Sequence, residues 1–301
     1  MLNGGGEPCD YAVVFAGQCG MIREKIAKHK TLFIAGEPPA IKKYSEDYLA
    51  QFGSVICSDV ELSHSDKHMY QQGYPWFCGL KFLDGGKKIA VKTYDDFASD
   101  ADVKKTRLLS VVCSDKQSKP GHKKRFEFVA RLKEVFGDDL DLYGTGQNPV
   151  DDKSDAIRPY QYHIAIENSS TQHYWTEKLS DCYLEQAYPF YAGCPNLEEY
   201  FSTDAYTTID IDDPEGAVNL IRRAIEEDRY GSAQKALAKA RKDVLEKYNL
   251  FNLIVEHFEK LEEQSETVSE HFRAFPAKWF RKGPFYKLKL LLSDCLGKNR
   301  G

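Results

Sequence analysis

Between residues 107 and 211, short apolar runs alternate with helix-forming stretches, and this alternation admits few architectures. The runs 107–113 (RLLSVVC), 140–143 (LDLY), 162–166 (YHIAI), 188–193 (YPFYAG) and 206–211 (YTTIDI) have the length and composition of strands. Helices are predicted over 122–136 and 176–187, and again from Pro214 to about Gln264. Parallel strands need a crossover of a dozen or more residues, so strand–helix alternation implies a mainly parallel sheet. The expectation is a doubly wound, Rossmann-like domain whose ligands sit beyond the carboxyl ends of the strands.

The first hundred residues carry a weaker version of the same pattern. Runs 11–15 (YAVVF) and 31–35 (TLFIA) flank a helix predicted over 21–29, and a helical stretch over 43–51 leads to the run 54–57 (SVIC). The pattern fades over 73–92, and 95–105 is polar enough for a linker. The expected organisation is an N-terminal α/β domain over 1–100, a C-terminal domain over 101–272 and a tail over 273–301. With 42% hydrophobic and 13% aromatic residues the chain has material for sizeable cores.

Charge separates the tail from the rest. Residues 273–301 hold eight Lys or Arg against one acid, Asp294, for a charge of +7. Subtracting these from the totals of 41 and 46 leaves 33 basic and 45 acidic residues in 1–272, or −12. An acidic body lacks the basic face that phosphate backbones require, so nucleic acid is not an expected partner. No secretory leader is legible, and the apolar run 11–16 is far short of the roughly 20 residues that span a bilayer. The 8 cysteines include no CxxC pair, which fits a reduced, cytoplasmic setting.

Candidate chemistry concentrates in 160–193. A strand ends in Glu167-Asn168, a polar loop follows, and Thr176 reads as the N-cap of a helix whose first turn holds Glu177 and Lys178. Unpaired N–H donors at a helix start suit a phosphate, and Lys178 is the wrong charge for helix stability alone. A lone lysine turned to solvent is the simpler account. Arg125 follows another strand–loop passage, SDKQSKPGHKKR, and binds phosphate bidentately or belongs to a solvated basic face. The two DxD spellings, Asp139–Asp141 and Asp210–Asp212, lie in or beside strand patterns, and Gly144–Gly146 lacks a third glycine in register. His163 reads as a core residue, and no histidine pair has ligand spacing, so no metal site is expected.

The stretch ENSSTQHYWTEKL followed by PFYAG resembles the signature of glycosyltransferase family 10, the α-1,3/4-fucosyltransferases. Glu167, Asn168, Ser169, Tyr174, Thr176, Glu177, Lys178, Pro189 and Gly193 stand at matching positions, and SDKQSKPGHKKRFEFVARL places Arg125 on the family's arginine. The resemblance covers roughly residues 106–230. It implies an α/β fold of the GT-B type, with two Rossmann-like domains facing across a cleft. The C-terminal domain would bind GDP-fucose and the N-terminal one the acceptor. Arg125 and Lys178 would neutralise the pyrophosphate as GDP leaves, Asn168 and Tyr174 would line the nucleotide, and Glu177 would contact the fucose or stabilise charge developing on it. No tightly bound cofactor is implied; GDP-fucose is the donor substrate, with a divalent cation at most stimulatory.

An inverting transfer also needs a base on the acceptor hydroxyl. Glu37, in FIAGEPPAI at a strand end, resembles the family's base in placement; a solvated turn glutamate is the plainer reading, and Glu7 and Glu46 are weaker candidates. The expected function is inverting transfer of fucose to a glycan hydroxyl, α-1,3 on a GlcNAc-type sugar or on a lipopolysaccharide or glycolipid sugar. The alternatives are transfer from another nucleotide sugar, or a non-catalytic nucleotide-sugar or glycan-binding module. A hydrolase using Glu37 and another carboxylate has no use for Arg125 and Lys178. The tail interleaves Trp279, Phe280, Phe285, Tyr286 and 288–292 with basic residues, suiting peripheral contact with the inner face of a membrane; the plainer alternative is a final helix packed on the N-terminal domain.

Overall fold

The computed structural model describes residues 9–83, 86–99, 103–113, 120–144, 146, 148–262 and 272–297. Glu7, most of the 114–121 loop and the middle of the Gly144–Gly146 spelling lie outside these residues. The chain divides into two compact units, one formed by 1–72 with 253–301 and the other by 73–252.

In the first unit, β1 (Ala12–Phe15), β2 (Ile22–Glu24), β3 (Thr31–Ile34), β4 (Ser54–Cys57) and β5 (Lys67–Met69) are joined by turns and the short helix α1 (Glu46–Leu49). A parallel sheet runs in the order β1-β3-β4-β5. Its central strands TLFI and SVIC are buried at every position, as parallel strands covered on both faces must be. Phe33 anchors the core, its ring 5.5 Å from Tyr48 and 5.1 Å from Phe52.

The second unit opens with a hairpin of β6 (Leu80–Phe82) and β7 (Lys88–Ala90), then α2 (Tyr94–Ser99). There follow β8 (Arg107–Val112), α3 (Pro120–Phe136), β9 (Leu140–Tyr143), α4 (Ser154–Ile157), β10 (Tyr160–Ile166), α5 (Glu177–Leu184), β11 (Tyr188–Ala192) and β12 (Thr207–Thr208). Helices α6 (Pro214–Glu226), α7 (Arg229–Ser232) and α8 (Gln234–Glu246) complete it, and α9 (Leu250–Glu262) carries the chain back to the first unit. The five strands pair in parallel in the order β12-β11-β10-β8-β9. From β8 the chain goes first to β9 on one side and then to β10 on the other. The strand order therefore reverses between β8 and β10, where doubly wound sheets open a crevice at their carboxyl ends.

Back in the first unit, β13 (Phe272–Ala274) pairs antiparallel with β2, and α10 (Ala277–Arg281) and α11 (Pro284–Gly297) end the chain. The helix expected over 21–29 is thus a correction: Ile22–Glu24 is a strand, and Lys28–Lys30 a single 3-10 turn. The segment MIREKIAKH is built mostly of helix-favouring residues, but pairing with Phe272–Ala274 satisfies its backbone and Ile26 and Ala27 are buried.

The expected boundary near residue 100 is also corrected. Residues 73–99 belong to the second unit because buried polar groups there hold them. The Phe77 N–H donates to Asp181 (3.0 Å), the Gly79 N–H to Asp152 and Ser154 (2.9 Å each), and Lys92 pairs with Glu185 at 2.7 Å. The expected linker over 95–105 begins instead as α2, with Phe97 buried. Nor is 273–301 a free tail. Within it Ala274 is buried in the first core, Phe280 packs against that core, and Arg281 donates to the Lys43 carbonyl at 2.8 Å; Phe272, just before it, is buried there too. Replacing Phe272 with Ala should destabilise the first unit by about 3–5 kcal/mol, read as a fall in its denaturant midpoint, although the expected organisation assigns residue 272 to the C-terminal domain.

Candidate donor site

The strongest concentration of buried charge lies where β10 ends and α5 begins. Thr176 caps α5, its side chain accepting from the Lys178 N–H. Glu167, just past β10, is buried with none of its side chain exposed. Its carboxylate accepts from the Thr176 N–H (2.8 Å) and hydroxyl (2.8 Å), and the Lys178 ammonium lies 3.2 Å from Glu167 Oε2. The same ammonium is 3.2 Å from Glu177 Oε1 and 3.0 Å from Thr176 Oγ1.

This geometry answers the oddity of a cation in the first turn of a helix. Lys178 is not turned to solvent; its side chain is only 20% exposed and sits between two acids. Burial alone would lower its affinity for a proton, but Glu167 and Glu177 outweigh that and hold it well above its ordinary range. Burial likewise opposes ionisation of Glu177, yet Lys178 and Lys153 bring its carboxyl down to about 2. Burial pushes Glu167 upward, against Lys178 and the Thr176 donors.

Arg125 belongs to α3, the helix after β8, and Asn168 follows β10, so the pair spans the strands between which the order reverses. Arg125 Nη1 donates to Asn168 Oδ1 at 2.9 Å. Its Nε is buried and has no hydrogen-bond acceptor among the described residues. A half-buried guanidinium with a spare donor at a strand switch differs from the exposed Lys123 beside it. Tyr174 is buried, its ring edge-on to Tyr74 at 5.7 Å. The structure therefore groups Glu177 and Lys178, joins Arg125 to Asn168, and sets all four with Tyr174 in the second unit.

Glu37 belongs to the first unit, in a bend three residues past β3, and is partly exposed. Gly36 before it is compelled by packing: a Cβ there would lie 2.3 Å from that of Ala16, which itself adopts a φ of 58°. The Lys42 ammonium and the Tyr44 ring are near enough for Glu37 to influence both. Glu46 opens α1 and is exposed.

Residues without an assigned role also surround the site. Glu177, Asp181 and Glu185 recur every fourth residue, which lines up two acids on one face of α5 with a third at its C-cap. Asp181 and Glu185 are fully buried. Glu185 pairs with Lys92 and with Arg158 (3.0 Å), while Lys153 lies 3.6 Å from Glu177 Oε1 and 3.9 Å from Asp181 Oδ2. Burial raises the Asp181 carboxyl to about 6, against the pull of Lys153. The four-residue acid spacing was the available signal, and the cations answering it are distant in sequence.

The weaker motifs have structural uses. Asp141 accepts from Tyr160 (2.7 Å) and Arg107 (2.9 Å), and Asp210 from the Asp212 N–H (2.8 Å). A Cβ at Gly144 would collide with the Cys113 carbonyl, 2.1 Å away. His163 is a buried core residue, its Nδ1 2.8 Å from Ser110 Oγ and its ring held neutral by burial at about 3. Among the described residues no group of three His, Cys, Asp or Glu side chains gathers as metal ligands would.

Residues 103–230 match the family profile described as "Glycosyltransferase family 10 (fucosyltransferase) C-term". No curated protein sequence matches the chain. A solved alpha1,3-fucosyltransferase with GDP-fucose is 17% identical over 88% of this chain and 81% of its own, with a TM-score of 0.51. A solved alpha1,3-fucosyltransferase with GDP is 18% identical over 82% and 81%, with a TM-score of 0.49. The first likeness gives the fold, α/β of the GT-B type.

Glu177, held at about 2 against an ordinary 4.5, favours the folded state above pH 4.5, and that contribution is lost as the pH falls through 2. Across this window the wild type should lose on the order of 3 kcal/mol that Glu177→Gln does not lose, measured as the pH dependence of the denaturant midpoint.

Proposed function

From the match of residues 103–230 to the C-terminal domain of glycosyltransferase family 10, we propose that the chain is a member of that family and moves fucose from GDP-fucose to a hydroxyl of a glycan with inversion at the anomeric carbon. The observation that carries this reading is the pair of half-buried cations at the β8–β10 switch, Arg125 beside Asn168 and Lys178 between Glu167 and Glu177.

As the bond from the anomeric carbon to the diphosphate oxygen breaks, negative charge grows on GDP. Arg125 and Lys178 meet it with fixed positive charge in a poorly solvated place, where such stabilisation is greatest. Arg125 keeps Nε for a phosphate oxygen while Asn168 orients its fork. Glu177 stays anionic and opposes the positive charge that develops on the sugar ring. Asn168 and Tyr174 line the nucleotide. On the opposite face of the sugar the acceptor hydroxyl attacks, and Glu37 takes its proton. The acceptor is a GlcNAc-type sugar or one in a lipopolysaccharide or glycolipid, taken in α-1,3 linkage.

No described helix is long and apolar enough to cross a membrane. Helix α11 nevertheless exposes Phe285 (89%), Leu288, Leu291 and Leu292, spaced as one helical stripe beside Lys289. This stripe makes peripheral contact with an anionic membrane, on whose inner face glycolipid acceptors are presented.

Calorimetric titration should show binding of GDP and GDP-fucose, weakened at least about tenfold by Lys178→Ala, a loss of roughly 1.4 kcal/mol. Binding of UDP-galactose alone would replace the fucose assignment with another donor. Glu37→Gln should keep GDP affinity and lose about 10²- to 10⁴-fold in turnover; turnover at the wild-type rate would remove Glu37 as the base, and absence of turnover in the wild type would favour a binding module. Ending the chain after Gly283 should abolish sedimentation with anionic vesicles while GDP binding persists.

A further inference from the structure

The Lys178 ammonium is engaged on three sides: it donates to Thr176 Oγ1 (3.0 Å) and Glu177 Oε1 (3.2 Å) and is ion-paired with Glu167 Oε2 at 3.2 Å. A diphosphate oxygen bound by this ammonium competes with these three for it. Glu167 has other donors, since the Thr176 N–H and hydroxyl both reach it. Glu177 is 13% exposed and has one other cation, Lys153, 3.6 Å from the same oxygen that Lys178 touches.

We propose that Lys153 is a positioning residue of the donor site, holding Glu177 ionised and in place when Lys178 turns to the diphosphate. The inference rests on the donor-site reading above. Lys153 is set for this task. It stands immediately before α4, which packs on β8, β10 and α5, and its ammonium lies 4.8 Å from the centre of the Phe77 ring. Its side chain is 22% exposed, and its second acid, Asp181, fixes it from the next turn of α5 at 3.9 Å. The neighbouring cations have other duties. Lys92 and Arg158 pair with Glu185, and the Lys105 ammonium donates to the Arg158 and Glu185 carbonyls. His163, held neutral, adds no positive charge. Without Lys153, Asp181 keeps the Phe77 N–H but Glu177 is left with Lys178 as its one cation, and drawing Lys178 to a diphosphate strands the Glu177 carboxyl.

An unpaired buried carboxylate takes up a proton, so loss of Lys153 should couple nucleotide binding to protonation. The test is GDP titration by calorimetry in buffers of differing ionisation enthalpy, between about pH 6 and pH 8, on the full chain. Wild type sets the baseline, including the protons that GDP itself exchanges. Lys153→Met should take up close to one proton more than wild type, and its GDP affinity should fall about tenfold further than the wild type's per pH unit of rise. Lys153→Arg should restore the baseline. The double variant Lys153→Met with Glu177→Gln leaves Glu177 no charge to strand, and it should bind GDP with the excess uptake removed. If Lys153→Met alone fails to fold while the double variant folds, the requirement for a cation on Glu177 stands. Wild-type proton uptake in Lys153→Met, or excess uptake that persists in the double variant, would overturn the proposal. Failure of the wild type to bind GDP would overturn the donor-site reading instead.

Discussion

The end of β10 and the start of α5 are built around one buried charge, the Glu167 carboxylate. Taking it out of water is costly, and it is tolerated because Thr176 and Lys178 meet it with hydrogen bonds and an opposite charge. That demand shapes the surrounding backbone. The loop from 168 to 175 must return so that Thr176 can cap the helix and reach Glu167 at once. Across the sheet, a Cβ at Gly193 would sit 2.5 Å from the Glu167 side chain, so the glycine closing PFYAG is required by a residue 26 positions earlier. Removing Lys178 leaves the buried Glu167 with the neutral Thr176 donors and no opposite charge, which is more damaging than never having built the pair.

The acid face of α5 extends the same logic. Each carboxyl has its own cation or backbone donor from a different part of the second unit: Glu177 from Lys153 and Lys178, Asp181 from the Phe77 N–H, Glu185 from Lys92 and Arg158. The helix thus ties the β6–β7 hairpin and α4 to the sheet by polar contacts as well as by packing. Charges in such surroundings are weakly screened, so they hold the site in register and also govern its protonation.

The second unit was largely legible in the sequence because its strands are continuous apolar runs and its helices carry local caps. Thr176 was recognisable as a cap from three residues of context, and the strands over 107–113, 140–143, 162–166 and 188–193 appear within a residue or two. The 206–211 run was overread; only Thr207–Thr208 form a strand, and Asp210 turns to cap its own loop. Non-local events were invisible. Nothing in IRE announces a partner near residue 273, and nothing in 76–99 announces that its anchors are Asp152, Asp181 and Glu185. The site divided in the same way. The residues of ENSSTQHYWTEKL are contiguous in the chain, whereas Lys153 lies outside that motif and meets Glu177 only through the fold.

The pairing of β2 with β13 also orders events in time. The second unit is one uninterrupted stretch, 73–252, and all its strands have been made once residue 208 is added. The first unit has its parallel strands by residue 69, yet its core still lacks Phe272 and Ala274. On a ribosome that adds residues one at a time, the half begun first is therefore the half finished last. For some 200 residues of synthesis the N-terminal sheet waits with part of its apolar face uncovered, a period in which protection by a chaperone would matter most.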